Sequence, residues 1–228
     1  MTTKLKSFED WNRLLALAET GDPIAQSEVA LYYDSGLVIM DTQIIEEDQS
    51  LAFKWYCKAY ENGRIDAATR IADFLSEGIH CQQNIALAIE LYQKRIENGD
   101  GLAANNLAII YRDQQEYKKA FELYKIAEDL GKTSSLQVAL CYHFGIGTEK
   151  DVKKSFEIFN NIANASSEHI NCQYEIDEAN YFLGSIYLDG EIVEKSLTKA
   201  RAFLQLANAD DDHRSAQELL MLIGKEQS

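Results

Sequence analysis

The chain has 228 residues, and 46% of them are hydrophobic, a composition that supports a sizeable folded core and excludes a disordered chain. Its 37 acidic and 22 basic side chains give a formal net charge of −15, which opposes binding to nucleic-acid phosphates and to anionic lipid headgroups. We therefore expect no nucleic-acid partner and no membrane partner.

Neither a secretory signal nor a membrane-spanning segment is evident. No apolar run follows the first residues, and no stretch approaches the roughly 18 uninterrupted apolar residues of a spanning helix. We expect a cytoplasmic protein whose four cysteines, Cys57, Cys81, Cys141 and Cys172, are free thiols. Strand-type alternation of apolar and polar residues is scarce and Pro23 is the only proline, which favours an all-α fold.

The first predicted helix begins at Ser7, which is followed by Asp10 in the manner of a capping box. An apolar stripe runs along this helix through Trp11, Leu14 and Ala18. Pro23 then stands where a proline is tolerated in the first turn of a second helix. We interpret residues 1–21 as an N-terminal capping helix.

A block of two amphipathic runs then recurs along the chain. Each block ends near a glycine, at Gly21, Gly63, Gly99 and Gly131, with spacings of 42, 36 and 32 residues. These spacings are typical of a two-helix repeat whose loops vary in length. The sequence therefore predicts a stack of helix pairs.

In the first helix of each pair, a branched anchor residue is followed by a small residue and, four positions after the anchor, by a large apolar one. The five copies are Val29-Ala30-Tyr33, Ile71-Ala72-Leu75, Leu107-Ala108-Tyr111, Val138-Ala139-Tyr142 and Leu183-Gly184-Tyr187. The small residue lets a neighbouring helix approach closely, and the large one fills the groove beside it. We predict left-handed glycine caps at Gly36, Gly78, Gly145 and Gly190, whereas the third copy has Gln114 instead.

Toward the C-terminus the pattern is interrupted and then closed. The stretch 166–178 is a disordered insertion, a partial helix or a binding loop, and its content of Asn, Ser and Glu favours a mobile segment. Asp210, Asp211 and Asp212 precede a last amphipathic helix, and their negative charge suits a helix N-terminus. We interpret residues 210–228 as a C-terminal capping helix.

Two segments carry a resemblance to a known family. Residues 52–63, Ala-Phe-Lys-Trp-Tyr-Cys-Lys-Ala-Tyr-Glu-Asn-Gly, and residues 183–190, Leu-Gly-Ser-Ile-Tyr-Leu-Asp-Gly, resemble the second-helix and first-helix signatures of the Sel-one-like repeat. This family is related to the tetratricopeptide repeat. The resemblance implies a right-handed α-solenoid of about five helix-turn-helix repeats, at 22–63, 64–99, 100–131, 132–165 and 177–209, between the two capping helices.

Residues that would carry catalysis or hold a cofactor are scarce. The sequence contains no zinc-protease, phosphate-loop, nucleophile-elbow or Cys-x-x-Cys motif. His80 with Cys81 and His169 with Cys172 are the nearest approach to metal-ligand pairs, but a structural zinc site needs four ligands. We therefore predict no catalytic residues, no cofactor and no metal, and we interpret the acidic clusters as solvated or partner-attracting surfaces.

In tetratricopeptide repeats, the first helices line a groove that binds the partner, and the resemblance implies the same here. Partner-binding residues are then expected two positions before each anchor, and two, five and six positions after it. The predicted set is Leu31, Asp34, Thr69, Asp73, Glu77, Asn105, Ile109, Arg112, Asp113, Leu140, His143, Tyr181, Ser185 and Asp189. The mixture of apolar anchors and carboxylates suits a protein interface with a few hot spots and charge complementarity. The alternative for each apolar member is packing against neighbouring helices.

We therefore predict a non-enzymatic interaction scaffold, monomeric when unbound, with an acidic concave groove for a basic protein. By analogy with the family it resembles, it is an immunity or regulatory protein that inhibits a basic effector. One alternative is a structural adaptor that bridges two protein partners, and a further one is a hydrolase of unrecognised type.

Overall fold

The computed structural model describes residues 5–39, 42–78, 80–131, 134–164 and 173–225. Within these ranges the chain forms twelve helices and one pair of short strands. The helices are α1 (Phe8–Glu19), α2 (Pro23–Ser35), α3 (Gln49–Glu61), α4 (Ala67–Glu77), α5 (Ile85–Glu97), α6 (Gly101–Asp113), α7 (Tyr117–Asp129), α8 (Ser135–Phe144), α9 (Val152–Ala163), α10 (Gln173–Asp189), α11 (Leu197–Ala207) and α12 (Arg214–Lys225). The predicted all-α class of helix-turn-helix repeats is confirmed.

The chain divides into two compact units, Met1–Leu107 and Ala108–Ser228. In the N-terminal unit, α1 to α4 each pack against the next helix along the chain. In the C-terminal unit, the same sequential packing runs from α7 to α12. Each helix therefore packs mainly against its neighbours in sequence, as repeat proteins do.

Side-chain caps explain where most of these helices begin. Ser7 Oγ accepts a hydrogen bond from the Asp10 backbone N–H at 3.2 Å, and Asp22 Oδ1 accepts one from Ala25 at 2.8 Å. Asp48, Asn84, Asp151 and Ser196 cap α3, α5, α9 and α11 in the same way. Each cap satisfies a backbone donor that the helix leaves unpaired, and Pro23 occupies the first turn of α2 as predicted.

The small residues beside the anchors allow the close helix packing that the sequence predicts. Their side chains are fully buried at Ala30, Ala72, Ala108 and Ala139. In the fifth copy, a Cβ added at Gly184 would lie 2.7 Å from Leu204 Cγ on α11, so only glycine fits there without a shift of that side chain. The large residues fill the adjacent space, as when Tyr187 stacks on Phe203 at 5.7 Å between ring centroids.

A two-stranded antiparallel sheet interrupts the first repeat. Strands β1 (Leu37–Ile39) and β2 (Thr42–Ile45) pair Val38 with Gln43 and Ile39 with Thr42. The helical analysis does not predict this hairpin, although the Leu-Val-Ile run and the Ile-Ile pair have high strand propensity. Ile45 is buried, so the hairpin also contributes an apolar side chain to the N-terminal unit.

The structure adds two details to the C-terminal unit. Residues 173–178 belong to α10, so this part of the stretch 166–178 is the partial helix among the alternatives, while residues 166–172, including His169 and Cys172, lie outside the described residues. The first turn of α12 is capped by His213, whose Nδ1 accepts a hydrogen bond from the Ala216 backbone N–H at 3.2 Å. An imidazole nitrogen therefore caps this helix, and Asp210, Asp211 and Asp212 precede it in the chain, as the sequence indicates.

The described cysteines are free thiols at Cys57, Cys81 and Cys141, as expected. Burial raises the pKa of the Cys57 thiol and of the Cys141 thiol to about 11. Both thiols are therefore protonated near neutral pH and behave as small apolar side chains.

Four of the repeats' first helices end at the predicted glycines, Gly36, Gly78, Gly145 and Gly190, with φ between 68° and 72°. Gly78 and Gly145 are left-handed caps as predicted, whereas Gly36 combines φ of 68° with ψ of 170° and is not left-handed helical. In the third copy the left-handed residue is Gln115, with φ of 63°. A residue with a Cβ is strained in this region of φ, whereas glycine is not.

We therefore expect Gln115→Gly to stabilise the protein by about 0.5–1 kcal/mol, because it removes this strain at a position that already has the conformation glycine prefers. Gln114→Gly is the matched control, since Gln114 does not have a positive φ and the substitution only adds backbone entropy to the unfolded chain. Urea denaturation of the two variants measures the difference. A free energy of unfolding for Gln115→Gly at or below that of Gln114→Gly would contradict the argument.

The loop after α8 approaches the start of α7 closely at Gly147. A Cβ added there would lie 2.1 Å from the Tyr117 carbonyl oxygen, whereas one added at Gly145 would meet no atom closer than 3.3 Å. The two glycines have nearly the same φ, 72° and 71°. They therefore differ mainly in the space available for a side chain.

We expect Gly147→Ala to lower the free energy of unfolding by about 3 kcal/mol, the sum of left-handed strain and a backbone clash. Gly145→Ala should lower it by only about 1 kcal/mol, from strain alone. Thermal and urea unfolding of both variants give the comparison. Equal losses would mean that the loop moves away from α7 at no cost.

Candidate interaction surfaces

A polar network joins the first helices of the repeats in the N-terminal unit. Arg70 on α4 donates from Nη2 to Asp34 Oδ2 on α2 at 2.7 Å and from Nη1 to Asp73 Oδ2 at 2.8 Å. The Arg70 side chain is 43% exposed, whereas Asp34 and Asp73 retain only 11% and 13% of their side-chain accessibility. One guanidinium thus bridges two largely buried carboxylates.

Side chains from three further helices complete this network. Tyr92 on α5 donates to Asp73 Oδ1 at 2.6 Å, and Asn106 on α6 donates to the same oxygen at 2.9 Å. Tyr56 on α3 donates to Asp34 Oδ2 at 3.4 Å. Burial and the Asp34 carboxylate raise the pKa of Tyr56 to about 12, and burial and Asp73 likewise raise the pKa of Tyr92, so both phenols remain protonated donors.

Asp34 and Asp73, which the sequence places in an acidic groove, are therefore held by partners within the chain. Thr69 requires a correction, since it is buried and donates to Asp100 Oδ2 at 2.8 Å. Arg95 donates to the same oxygen, so Thr69 belongs to a second internal polar cluster and does not reach the surface.

The first cleft lies between α2 and α4 and has a volume of about 430 Å³. Its lining is mixed, with exposed Leu31 and Ile24, the network residues Tyr56 and Arg70, and the Arg64 to Asp66 ion pair at 2.8 Å. Of the predicted set, only Leu31 lines this cleft. The lining therefore combines apolar side chains with charged groups of both signs.

The second cleft lies in the C-terminal unit between the end of α6, α7, α8 and the loop after α8, with a volume of about 450 Å³. The structure brings together three predicted residues here, Arg112, Asp113 and Leu140. The remaining lining residues are Tyr117, Ala120, Tyr124, Gln137, Cys141 and Ile146. Its wall is therefore mostly apolar, and its charged residues form a pair, since Arg112 Nη2 lies 2.8 Å from Asp113 Oδ1.

The third cleft lies between the start of α10 and the turn before α12 and also has a volume of about 450 Å³. Four carboxylates line it, from Asp177, Glu178, Asp210 and Asp212. Arg214 is the one lysine or arginine among the described lining residues, and it pairs with Glu218 at 3.1 Å. Of the three clefts, this one has the most carboxylates in its lining.

Two predicted aromatic residues pack inside the C-terminal unit. His143 contacts the rings of Phe182 and Phe144 at 5.1 and 4.7 Å between centroids, and burial lowers its pKa. Tyr181 stacks on His213 at 5.0 Å, and His213 Nε2 lies 3.5 Å from Glu178 Oε1, too long for a strong hydrogen bond. His143 and Tyr181 therefore contribute mainly to packing.

The other predicted residues are spread over both units. Glu77 and Asp189 are exposed, and Asn105, Ile109 and Ser185 are half-buried. None of these five lines the three clefts described above.

Four of the residues that sequence reasoning missed share one position, directly before the anchor. Glu28 and Arg70 line the first cleft, Gln137 lines the second, and Asn106 donates to Asp73. In contrast, Thr69 and Leu136, two positions before their anchors, are buried. In four of the five copies the residue directly before the anchor is polar, and this regularity could have identified the position from the sequence.

No group of three or more His, Cys, Asp or Glu side chains suited to a metal ion occurs in the described ranges. In the part of the chain that the structure describes, no helix is both long and apolar enough to cross a bilayer.

The comparisons with known proteins agree with this architecture. The family model for the Sel1 repeat matches residues 23–63, 65–100, 101–132, 134–167 and 177–212. The fold is similar to that of a Sel1 repeat protein from Oxalobacter formigenes, with a TM-score of 0.66 and 21% identity over 88% of this chain and 75% of that one.

A protective antigen of uropathogenic Escherichia coli strains, which displays an SLR fold, is also similar, with a TM-score of 0.71 and 26% identity over 92% of this chain. The match spans 43% of that antigen's length. Because the family model covers most of the sequence in five copies, the chain belongs to the Sel1 repeat family, whose repeats are generally non-enzymatic and act as protein-interaction scaffolds.

Proposed function

We propose that this chain is an immunity or regulatory protein that binds a basic effector protein and inhibits it. The observation that carries the proposal is the third cleft, where four carboxylates line one concavity and the one lysine or arginine among the described lining residues is already paired. The net charge of −15 adds a long-range attraction for a cationic partner.

The network around Arg70 explains why we place the basic partner at the third cleft and not along α2 and α4. Asp34 and Asp73 share one guanidinium and accept three further hydrogen bonds from side chains, so little of their charge is available to a partner. Asp210 and Asp212 are exposed and can approach a partner's lysine or arginine directly.

Inhibition follows from occlusion and needs no catalytic group. A cytoplasmic chain that is monomeric when unbound would form one equimolar complex and cover the basic surface through which the effector binds its own target. Complementary charge would accelerate the encounter, and this acceleration decreases as salt rises.

A structural adaptor is the second candidate, and the different chemistry of the clefts favours it. The first cleft presents ion pairs around Leu31 in the N-terminal unit, whereas the second presents a largely apolar wall in the C-terminal unit. Two surfaces with different preferences suit two different partners. An adaptor would bind both at once, whereas an inhibitor forms a single equimolar complex.

The test of the acidic cleft is a triple variant, Asp177→Asn, Asp210→Asn and Asp212→Asn. Its matched control is Glu61→Gln, Glu90→Gln and Glu97→Gln, three exposed carboxylates of the N-terminal unit. Both variants change the net charge of −15 by the same three units, so a difference between them reports the position of the charge and not its total.

Each protein is used to capture partners from native lysate at about 50 mM and about 500 mM NaCl, and the affinity for the retained protein is then measured by calorimetry. We expect one basic protein at equimolar ratio, lost at high salt, with affinity reduced about tenfold by the cleft variant and little changed by the control. Partners that are neutral, or that bind both variants equally, would contradict the proposal.

A further inference from the structure

A histidine caps the helix that borders the third cleft. His213 stands directly before Arg214, the first residue of α12, and its Nδ1 accepts a hydrogen bond from the Ala216 backbone N–H at 3.2 Å. Ser196 caps α11 with the same spacing, since its side chain accepts from the Lys199 backbone N–H. Imidazole differs from a hydroxyl because it gains a proton near neutral pH, so this cap can titrate.

The hydrogen bond to Ala216 fixes where the neutral ring carries its proton. An imidazole nitrogen that accepts a hydrogen bond has no proton, so the proton lies on Nε2. Nε2 is buried and lies 3.5 Å from Glu178 Oε1 on α10, and it makes no hydrogen bond within the described residues. The neutral ring therefore binds α12 and interacts only weakly with Glu178.

A second proton on the ring changes both contacts, in opposite directions. Once Nδ1 is protonated it is a donor and cannot accept from Ala216, and a positive charge is unfavourable at a helix N-terminus. The same positive charge strengthens the attraction between the Nε2–H and the Glu178 carboxylate. The cap on α12 and an ion pair with Glu178 are therefore alternatives for one side chain.

The charged groups around the ring favour its protonation and so oppose the cap. Four carboxylates line the cleft from α10 and from the turn before α12, namely Asp177, Glu178, Asp210 and Asp212. Arg214 is the one lysine or arginine among the described lining residues, and it pairs with Glu218. The other groups near the ring are neutral, since Tyr181 stacks on it and the Asn208 side chain at the end of α11 accepts the His213 backbone N–H.

We propose that protonation of His213 regulates the third cleft by exchanging its bond to Ala216 for an ion pair with Glu178. Above the imidazole titration, α12 is capped and the Glu178 carboxylate is available to a basic partner. As pH falls from about 7.5 to about 5.5, the cap is lost, Glu178 is paired within the chain, and the imidazolium repels a cation. This inference rests on the proposed function, because it concerns the regulation of the same cleft.

The first test follows the free protein by NMR, with the full chain labelled with 15N and 13C. The Ala216 amide reports the cap, and the ring carbons of His213 report its protonation. We expect the protection of the Ala216 amide from hydrogen exchange, relative to its intrinsic rate, to fall about five- to tenfold between about pH 7.5 and about pH 5.5. The midpoint of this loss should coincide with the titration of the His213 ring.

His213→Asn separates the cap from the titration, because asparagine caps a helix with its side-chain oxygen and has no ionisable group. This variant should keep Ala216 protected across the pH range, and His213→Ser serves the same purpose if it does not fold. His80→Asn is the matched control, since it removes an exposed histidine of the N-terminal unit and should leave the wild-type behaviour unchanged. Protection that does not depend on pH, or the same loss in His213→Asn, would overturn the proposal.

The second test uses a tetra-arginine peptide as a probe of the cleft, titrated by calorimetry at about 50 mM NaCl. Wild type and His80→Asn should bind the peptide about three- to fivefold more weakly at about pH 5.5 than at about pH 7.5. His213→Asn should lose little affinity over the same range, because its side chain stays neutral. Equal losses in all three proteins would overturn the link between His213 and the cleft.

Neither measurement uses the natural partner, so failure of this inference is distinguishable from failure of the proposed function. Capture of a basic protein by a chain whose Ala216 amide does not respond to pH would overturn only the regulation. A pH-dependent cap in a chain that captures no basic protein would support the exchange at His213 and remove the basic effector.

Discussion

Close approach between neighbouring helices is the constraint on which the rest of this structure depends. Ala30, Ala72, Ala108 and Ala139 are fully buried, and at Gly184 even one added methyl group would meet Leu204. Small residues at one repeated position bring each helix near its neighbour, so the polar side chains that flank them meet across helices. The Asp34, Arg70 and Asp73 network connects α2 and α4, because the long Arg70 side chain reaches from α4 to Asp34.

This closeness changes what the net charge of −15 means for binding. Carboxylates that the helical period places side by side are drawn into internal pairs, as Asp34 and Asp73 are with Arg70. Asp210 and Asp212, in the turn before α12, are in contrast exposed. The carboxylates of the third cleft therefore offer a partner more available charge than the internally paired Asp34 and Asp73.

The sequence predicted the helix pairs, the small-residue positions and the glycine caps, because each follows from local periodicity or backbone sterics. It did not predict which side of each helix faces a cleft. Neighbouring residues such as Thr69 and Arg70 are only about 100° apart around the helix axis, so a small error in the assumed orientation exchanges a buried residue for a cleft residue. The hairpin at β1 and β2 and the His213 cap were missed for a related reason. Short strands and imidazole caps have no strong local pattern, and tertiary contacts decide them.

The position before each anchor shows how one framework produces clefts of different chemistry. Arg70 and Asn106 at this position bind Asp34 and Asp73, which stabilises the N-terminal unit and gives both carboxylates partners within the chain. Gln137 occupies the same position in the fourth copy, where its Oε1 meets no donor from the described residues. The residue directly before the anchor therefore decides whether a copy closes its polar side chains into an internal network, as at Arg70, or places a polar residue beside a largely apolar wall, as at Gln137.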